Sequence, residues 1–290
     1  MFTNNERLST VLSTGIPQRR SIYAIFVHFG SNDTTKAAID SLLSGSTRPD
    51  SIIVVDHAES AFAYGDNGVI VIRPEINTGY FGGLQTGITH AVALGAKNND
   101  LCILLNNDVV FARDSLESIS HWWSSYGNVN TLAGASLGAV SLLSGRARIM
   151  SEQQISSSLG TIPYVHGSCM VGEVGLFTSI EFPTSLFLYW EDVLLSMLVC
   201  KAGGSLRAIP GLQPIHDDQS SPVSPTKLYY MVRNGAYVLE VYTPVLWRLY
   251  WFILNTIRKA YHANMAGDKH AMVKRALRDA RSCILGKANI

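Results

Sequence analysis

Cysteine is scarce in this 290-residue chain, and Cys102, Cys169, Cys200 and Cys283 stand far apart with no Cys-x-x-Cys pair. That excludes the dense disulfide framework of a small secreted scaffold and points to a reducing, cytosolic compartment. Long apolar runs are also missing. The longest, Pro244 to Leu254, contains Arg248 and falls short of the roughly 20 residues that cross a bilayer as a helix, so no membrane span is expected. Asn4, Asn5, Glu6 and Arg7 interrupt any basic-then-apolar order of an export signal, so export is not expected. There is no internal repeat and no low-complexity segment. What the chain has is 47% hydrophobic composition, enough for the core of one large domain or of a domain with a helical appendage.

Net charge is +1, but unevenly divided. Residues 1–225 carry 12 basic and 19 acidic side chains, whereas 226–290 carry 11 basic and 3 acidic. A tail of that sign suits an anionic partner.

Apolar patterning predicts strands at 22–29, 51–56, 69–73, 101–105, 164–172 and 205–209. Helices are expected over 34–43, 82–96, from about Asp114 to Trp123 with Asp114 and Glu117 at capping-box spacing, and over 191–202. Residues 134–149 allow either strands or a flexible loop. Strands alternating with helices imply a mostly parallel sheet flanked by helices. From residue 226 the pattern is helical, with breaks at Pro244 and Gly267-Asp268. The expected division is an α/β unit over 20–225 and a helical extension over 226–290.

Four clusters carry chemistry. Leu104-Leu105-Asn106-Asn107-Asp108 ends a buried strand, at the edge where open α/β sheets bind ligands. Asp108 there either caps a turn or holds a Mg2+ or Mn2+ ion against phosphate oxygens. Val54-Val55-Asp56 ends an earlier strand. Asn77-Thr78-Gly79-Tyr80-Phe81-Gly82-Gly83, with Gly87 beyond, either brings backbone N–H groups to a ligand or only eases the entry into a helix. It fits neither a dinucleotide fingerprint nor a P-loop. Trp190-Glu191-Asp192 opens a helix, where acids are also stabilising in their own right.

Their order and spacing, over about residues 20–235, resemble family 2 glycosyltransferases of the GT-A fold, particularly bacterial rhamnosyltransferase-like members. The resemblance implies an inverting, metal-dependent hexosyltransferase that uses a dTDP- or UDP-linked sugar. The product would belong to a surface polysaccharide such as O-antigen or capsule, built on a glycan or polyprenyl-linked acceptor. It implies that Asp56 accepts a hydrogen bond from the base, that Asn77, Gly79, Gly82, Gly83, Asn106 and Asn107 line the donor, and that Asp108 ligates the metal. Asp192 would be the catalytic base, with Glu191 orienting the acceptor. His216, in His216-Asp217-Asp218, would complete the metal or diphosphate site unless it is structural. Arg233, in Tyr229-Tyr230-Met231-Val232-Arg233-Asn234, would meet phosphate or a core carboxylate.

The chain departs from the family in four places. Asn106 replaces the first acid of an Asp-x-Asp pair, and His57-Ala58 replace Asn-Gly. Leu186-Phe187-Leu188 replace Phe-Asp-Glu, and Leu194-Leu195 follow where a further acid is common.

In the tail, Trp247, Tyr250, Trp251, Phe252 and Leu254 precede Lys269, Lys274, Arg275, Arg278 and Arg281. Aromatic and basic residues together fit either peripheral attachment at the inner face of a membrane or packing on the catalytic unit with a solvated basic face. No nucleic-acid-binding module accompanies the charge. Two competing functions are an inert GT-A-like protein that binds glycan or scaffolds other enzymes, and a nucleotidyltransferase. The second would carry a basic Gly-rich loop where Phe29-Gly30-Ser31-Asn32-Asp33 stands.

Overall fold

A computed structural model describes residues 19–65, 68–213, 215–216, 224–263, 265 and 267–290. Asn4 to Arg7, Asp217 and Asp218 lie outside them.

The chain opens as alternating strands and helices: β1 (Ile22–His28), α1 (Asn32–Leu43), β2 (Ser51–Asp56), β3 (Val69–Ile72), α2 (Gly79–Ala93) and β4 (Leu101–Asn106). A short β5 (Val109–Val110) leads to α3 (Ser115–Tyr126), β6 (Thr131–Gly134), β7 (Leu137–Ser141), β8 (Ala147–Ile149), α4 (Glu152–Ser156), β9 (Thr161–Val165), β10 (Cys169–Glu173) and α5 (Val174–Ser179). After a 3-10 turn at Thr184–Leu186 come α6 (Glu191–Lys201), β11 (Ser205–Ala208) and β12 (Ile215–His216). Three helices follow: α7 (Pro225–Val241), α8 (Val245–Ala263) and α9 (Asp268–Arg281).

Seven strands form the main sheet in the order β11-β6-β10-β4-β1-β2-β3. The β1–β2, β1–β4, β2–β3 and β6–β11 pairs are parallel, and β10 runs antiparallel to β4 and β6. The core strands are continuous apolar runs because both faces are covered. Ala24, Phe26, Val54, Ile103 and Leu105 pack with Ile39, Leu42, Ile119 and Trp123 of α1 and α3. On the other face Ile25, Val27, Ile53 and Leu104 meet Phe81, Leu84 and Ile88 of α2 and Leu195 and Val199 of α6.

Several expectations are corrected. Residues 164–172 form two strands, β9 and β10, parted by His166-Gly167-Ser168. Residues 137–165 hold a separate sheet, β8-β7-β9. Asp114 makes no side-chain capping bond, and Glu117 instead accepts from Ser46 Oγ at 2.8 Å. Helix α2 starts three residues earlier than expected, so Gly79 is helical as well as Gly82 and Gly83.

Candidate active site

The parallel register levels three residues at one edge of the sheet. Val27 pairs with Asn106, and His28 pairs with Asp56. This is the carboxyl edge of β1, β2 and β4, where an open α/β sheet leaves its ligand crevice.

Asp56 is fully buried there. Its carboxylate accepts from the Ala58 and Phe62 amides, both at 2.9 Å, and from Arg73 Nη1 at 2.5 Å. Burial pushes its carboxyl upward, but the two amides and the Arg73 guanidinium outweigh that and hold it below its ordinary value. The charge therefore folds the 57–62 segment over the strand end, and Arg73 Nη2 fastens the cover through Ala58 O and Glu59 O. A base N–H would reach Asp56 only by displacing part of this cover. Beside it, His28 Nδ1 lies 2.6 Å from Thr35 Oγ1, which also accepts from Asn107 Nδ2 at 2.9 Å. Asn107 donates to Phe29 O as well, so its amide ties the end of β4 to the β1–α1 loop.

The glycines of α2 serve close packing. Gly79 has φ +81°, and a Cβ there would lie 2.2 Å from Phe187 O. Asn77 Oδ1 accepts from Gly79 N at 2.9 Å, fixing the turn into the helix. A Cβ on Gly83 would collide with Val27, and one on Gly82 with Thr78. Absent side chains thus seat α2 against β1 and bring its first turn against the segment before α6.

That segment is strained. Phe187, Tyr189 and Trp190 have φ of 68°, 66° and 74°, in the left-handed region unfavourable to side chains. Asn234 and Arg233 of α7 hold it. Asn234 Nδ2 donates to the carbonyls of Leu186, Leu188 and Tyr189 at 2.7–2.9 Å, and Arg233 Nη2 to Leu186 O at 2.8 Å. Arg233 Nη1 reaches Gly286 O, and its guanidinium lies over the Tyr229 and Tyr230 rings. The buried Arg233 guanidinium is thus engaged by Asn234 Oδ1 and by the carbonyls of Leu186 and Gly286.

The clamped segment delivers Glu191 and Asp192. Asp192 Oδ2 accepts from Gly167 N at 3.0 Å, and Oδ1 from Val193 N at 2.8 Å. Burial raises its carboxyl, opposed by nearby His166 and by these amides. Burial also pushes Glu191 up to about 8, and its Oε1 meets no hydrogen-bond partner among the described residues. Tyr80, in the first turn of α2, donates its hydroxyl to Gly167 O at 3.1 Å. Its hydroxyl is held well above the ordinary tyrosine value by burial, then by the charges of Glu191, Asp192 and Asp108. Tyr80 therefore stays a protonated donor. Neither Tyr80 nor Gly167 stands out in the sequence, because their partners lie 87 and 25 residues away.

Asp108 follows β4, and the backbone of His216 pairs with its neighbour Val109. The fold thus sets His216 beside the Asp108 turn. Among the described residues no group of three or more His, Cys, Asp or Glu could hold a metal. A Mg2+ or Mn2+ ion fits here only in the manner of a diphosphate-bound ion, which takes one or two protein ligands and fills its shell with phosphate and water.

No protein-family model and no curated protein matches the sequence. Solved structures do. The crystal structure of S. aureus TarS 1–349 matches with a TM-score of 0.51 at 13% identity, over 90% of this chain and 80% of that one. The chain shares the fold of TarS. The same TarS region in complex with UDP-GlcNAc gives 0.50 at 13% identity, over 90% and 81%. A mannosyltransferase, PcManGT from Pyrobaculum calidifontis in complex with GDP-Man and Mn2+, gives 0.49 at 13% identity, over 92% and 87%. The mixed α/β fold with its mostly parallel, helix-flanked sheet is common to the TarS structures and to this chain.

Proposed function

We propose that the chain is an inverting glycosyltransferase that moves a hexose, rhamnose foremost, from a dTDP- or UDP-linked donor to a glycan or polyprenyl-linked acceptor of a surface polysaccharide. The observation that carries this reading is the meeting of Tyr80 and Asp192 on Gly167, the hydroxyl on its carbonyl and the carboxylate on its amide, in a fold that also sets Asp56 at the ligand edge of the sheet. The Asp192 carboxylate takes the acceptor hydroxyl proton. The acceptor oxygen then bonds to the anomeric carbon as the bond to the diphosphate oxygen breaks on the opposite face. Glu191, protonated at neutral pH, orients the acceptor as a hydrogen-bond donor. Asp108, with His216 beside it, would hold a divalent cation whose charge neutralises the leaving diphosphate. Asn77 and the start of α2 lie on the donor side.

A panel of nucleotide sugars with Mg2+ or Mn2+ tests the proposal by release of nucleoside diphosphate. One donor should turn over, and Asp192→Asn should lower kcat about 10²–10⁴-fold while donor binding persists. Full turnover by Asp192→Asn would remove the base assignment. The inert reading draws on Asn106 in place of an acid and on the cover over Asp56. It predicts a folded chain with no turnover of any donor.

A further inference from the structure

Helix α8 carries a surface that sugar transfer does not use. Leu246, Leu249, Ile253 and Ile257 recur at helical spacing on one side and are 50–81% exposed, whereas Trp251 and Asn255 on the opposite side are buried. The sequence of α8 contains no acidic residue. A helix that served only to cover the catalytic unit would present polar side chains to water, and an aliphatic stripe of this kind marks an interaction face.

Cations border the stripe. At the seam with α9, the Arg281 guanidinium lies 4.3 Å from the centre of the Phe252 ring and donates to Thr256 Oγ1 at 2.6 Å. Beyond it, Lys274 and Arg278 stand exposed on α9. The nearby acids are engaged. Asp279 is buried against Tyr229, Arg275 and Arg278, and Glu240 pairs with Asn255 and Arg281. On the other border, Tyr250 donates to Leu143 O at 2.8 Å, which sets the exposed Leu143 of the β7–β8 turn beside the helix.

We infer that α8 and the outer edge of α9 form an in-plane docking surface for an anionic lipid bilayer. The aliphatic stripe enters the boundary between headgroups and acyl chains while Lys274 and Arg278 meet lipid phosphates. Charge selects this occupant over a second copy of the chain, which would bring its own excess of basic residues to the contact. No helix among the described residues is long and apolar enough to cross a membrane, so attachment is along the surface. The inference stands on these observations and not on the transferase reading, because vesicle binding and nucleotide release are separate measurements.

The test is co-sedimentation of the full chain with phosphatidylcholine vesicles, with and without phosphatidylglycerol. Binding is expected only with phosphatidylglycerol and should weaken as salt rises. Ile253→Glu should lower partitioning about tenfold or more, and Lys274→Gln and Arg278→Gln about fivefold each, with thermal melting unchanged. Leu249→Asn, a milder change, should reproduce the loss if Ile253→Glu fails to fold. The inference is overturned if the wild-type chain stays in the supernatant at low salt, or if the stripe variants bind like wild type. Light scattering that shows a dimer split by Ile253→Glu also overturns it, since a second copy would then cover the stripe.

Discussion

Glu191 is a buried carboxyl whose Oε1 has no hydrogen-bond partner among the described residues, and burial pushes it from about 4.5 to about 8. Its folded value lies above its unfolded one, so between those pH values the folded chain binds the extra proton and stability falls as pH rises. The stabilising contribution is complete below about pH 4.5 and is lost as pH passes through about 8. Each unit between the two values is worth about 1.4 kcal/mol. Glu191→Gln, which keeps the shape and removes the titration, should flatten the decline in melting temperature from pH 5 to 8 and raise it at pH 8. Melts across that range check it, and an unchanged slope would move the decline to another group. At Asp108 the sequence offers a cation ligand without a second acid. Asp108→Ala should abolish any metal-dependent donor binding, and Asn106→Ala should weaken it less, as read by calorimetry with and without Mn2+. The reverse ranking would assign the ion to Asn106.

The segment 187–190 shows what a local pattern conveys and what it misses. Glu191 and Asp192 are visible as acids at a helix start. The three left-handed residues before them are not, because Phe, Tyr and Trp are poor indicators of such a backbone. Nor does the Arg-Asn pair of α7 disclose its target, some 45 residues earlier. Removing the Asn234 amide takes this donor from the Leu188 and Tyr189 carbonyls, while Leu186 O keeps Arg233, and lets the segment relax. Asn234→Ala should cost about 1–3 kcal/mol in denaturant unfolding and lower kcat more than it raises donor KM. Equal stability and kcat would show that the segment holds itself. The glycines of α2 are a second case. Only Gly79 falls outside the helix that the sequence predicts, and what makes glycine necessary there and at Gly83 is tertiary contact with Phe187 and Val27.

Across the whole molecule, the central strands were legible because each is a short apolar run between polar turns. The β8-β7-β9 sheet was not. Gly138 interrupts its apolar pattern, and Pro163 sits within β9 on the edge of that sheet. This small sheet is also where the C-terminal helices dock. Trp251 of α8 is buried against Val140, Leu142 and Leu239, and its Nε1 donates to Leu142 O at 2.9 Å. Trp251→Ala should destabilise the chain by about 3–5 kcal/mol and expose α8 to limited proteolysis before the main sheet. Simultaneous cleavage of both would show that they unfold as one unit.

The reach of the Arg233 guanidinium to Gly286, together with the Ala288 amide bound to the Tyr230 hydroxyl, sets an order of maturation. During synthesis the sheet and its acids leave the ribosome first, Arg233 and Asn234 follow, and the Gly286 carbonyl that anchors Arg233 comes 53 residues after that arginine. The arrangement of the two acids is therefore complete only once the last residues of the chain are in place.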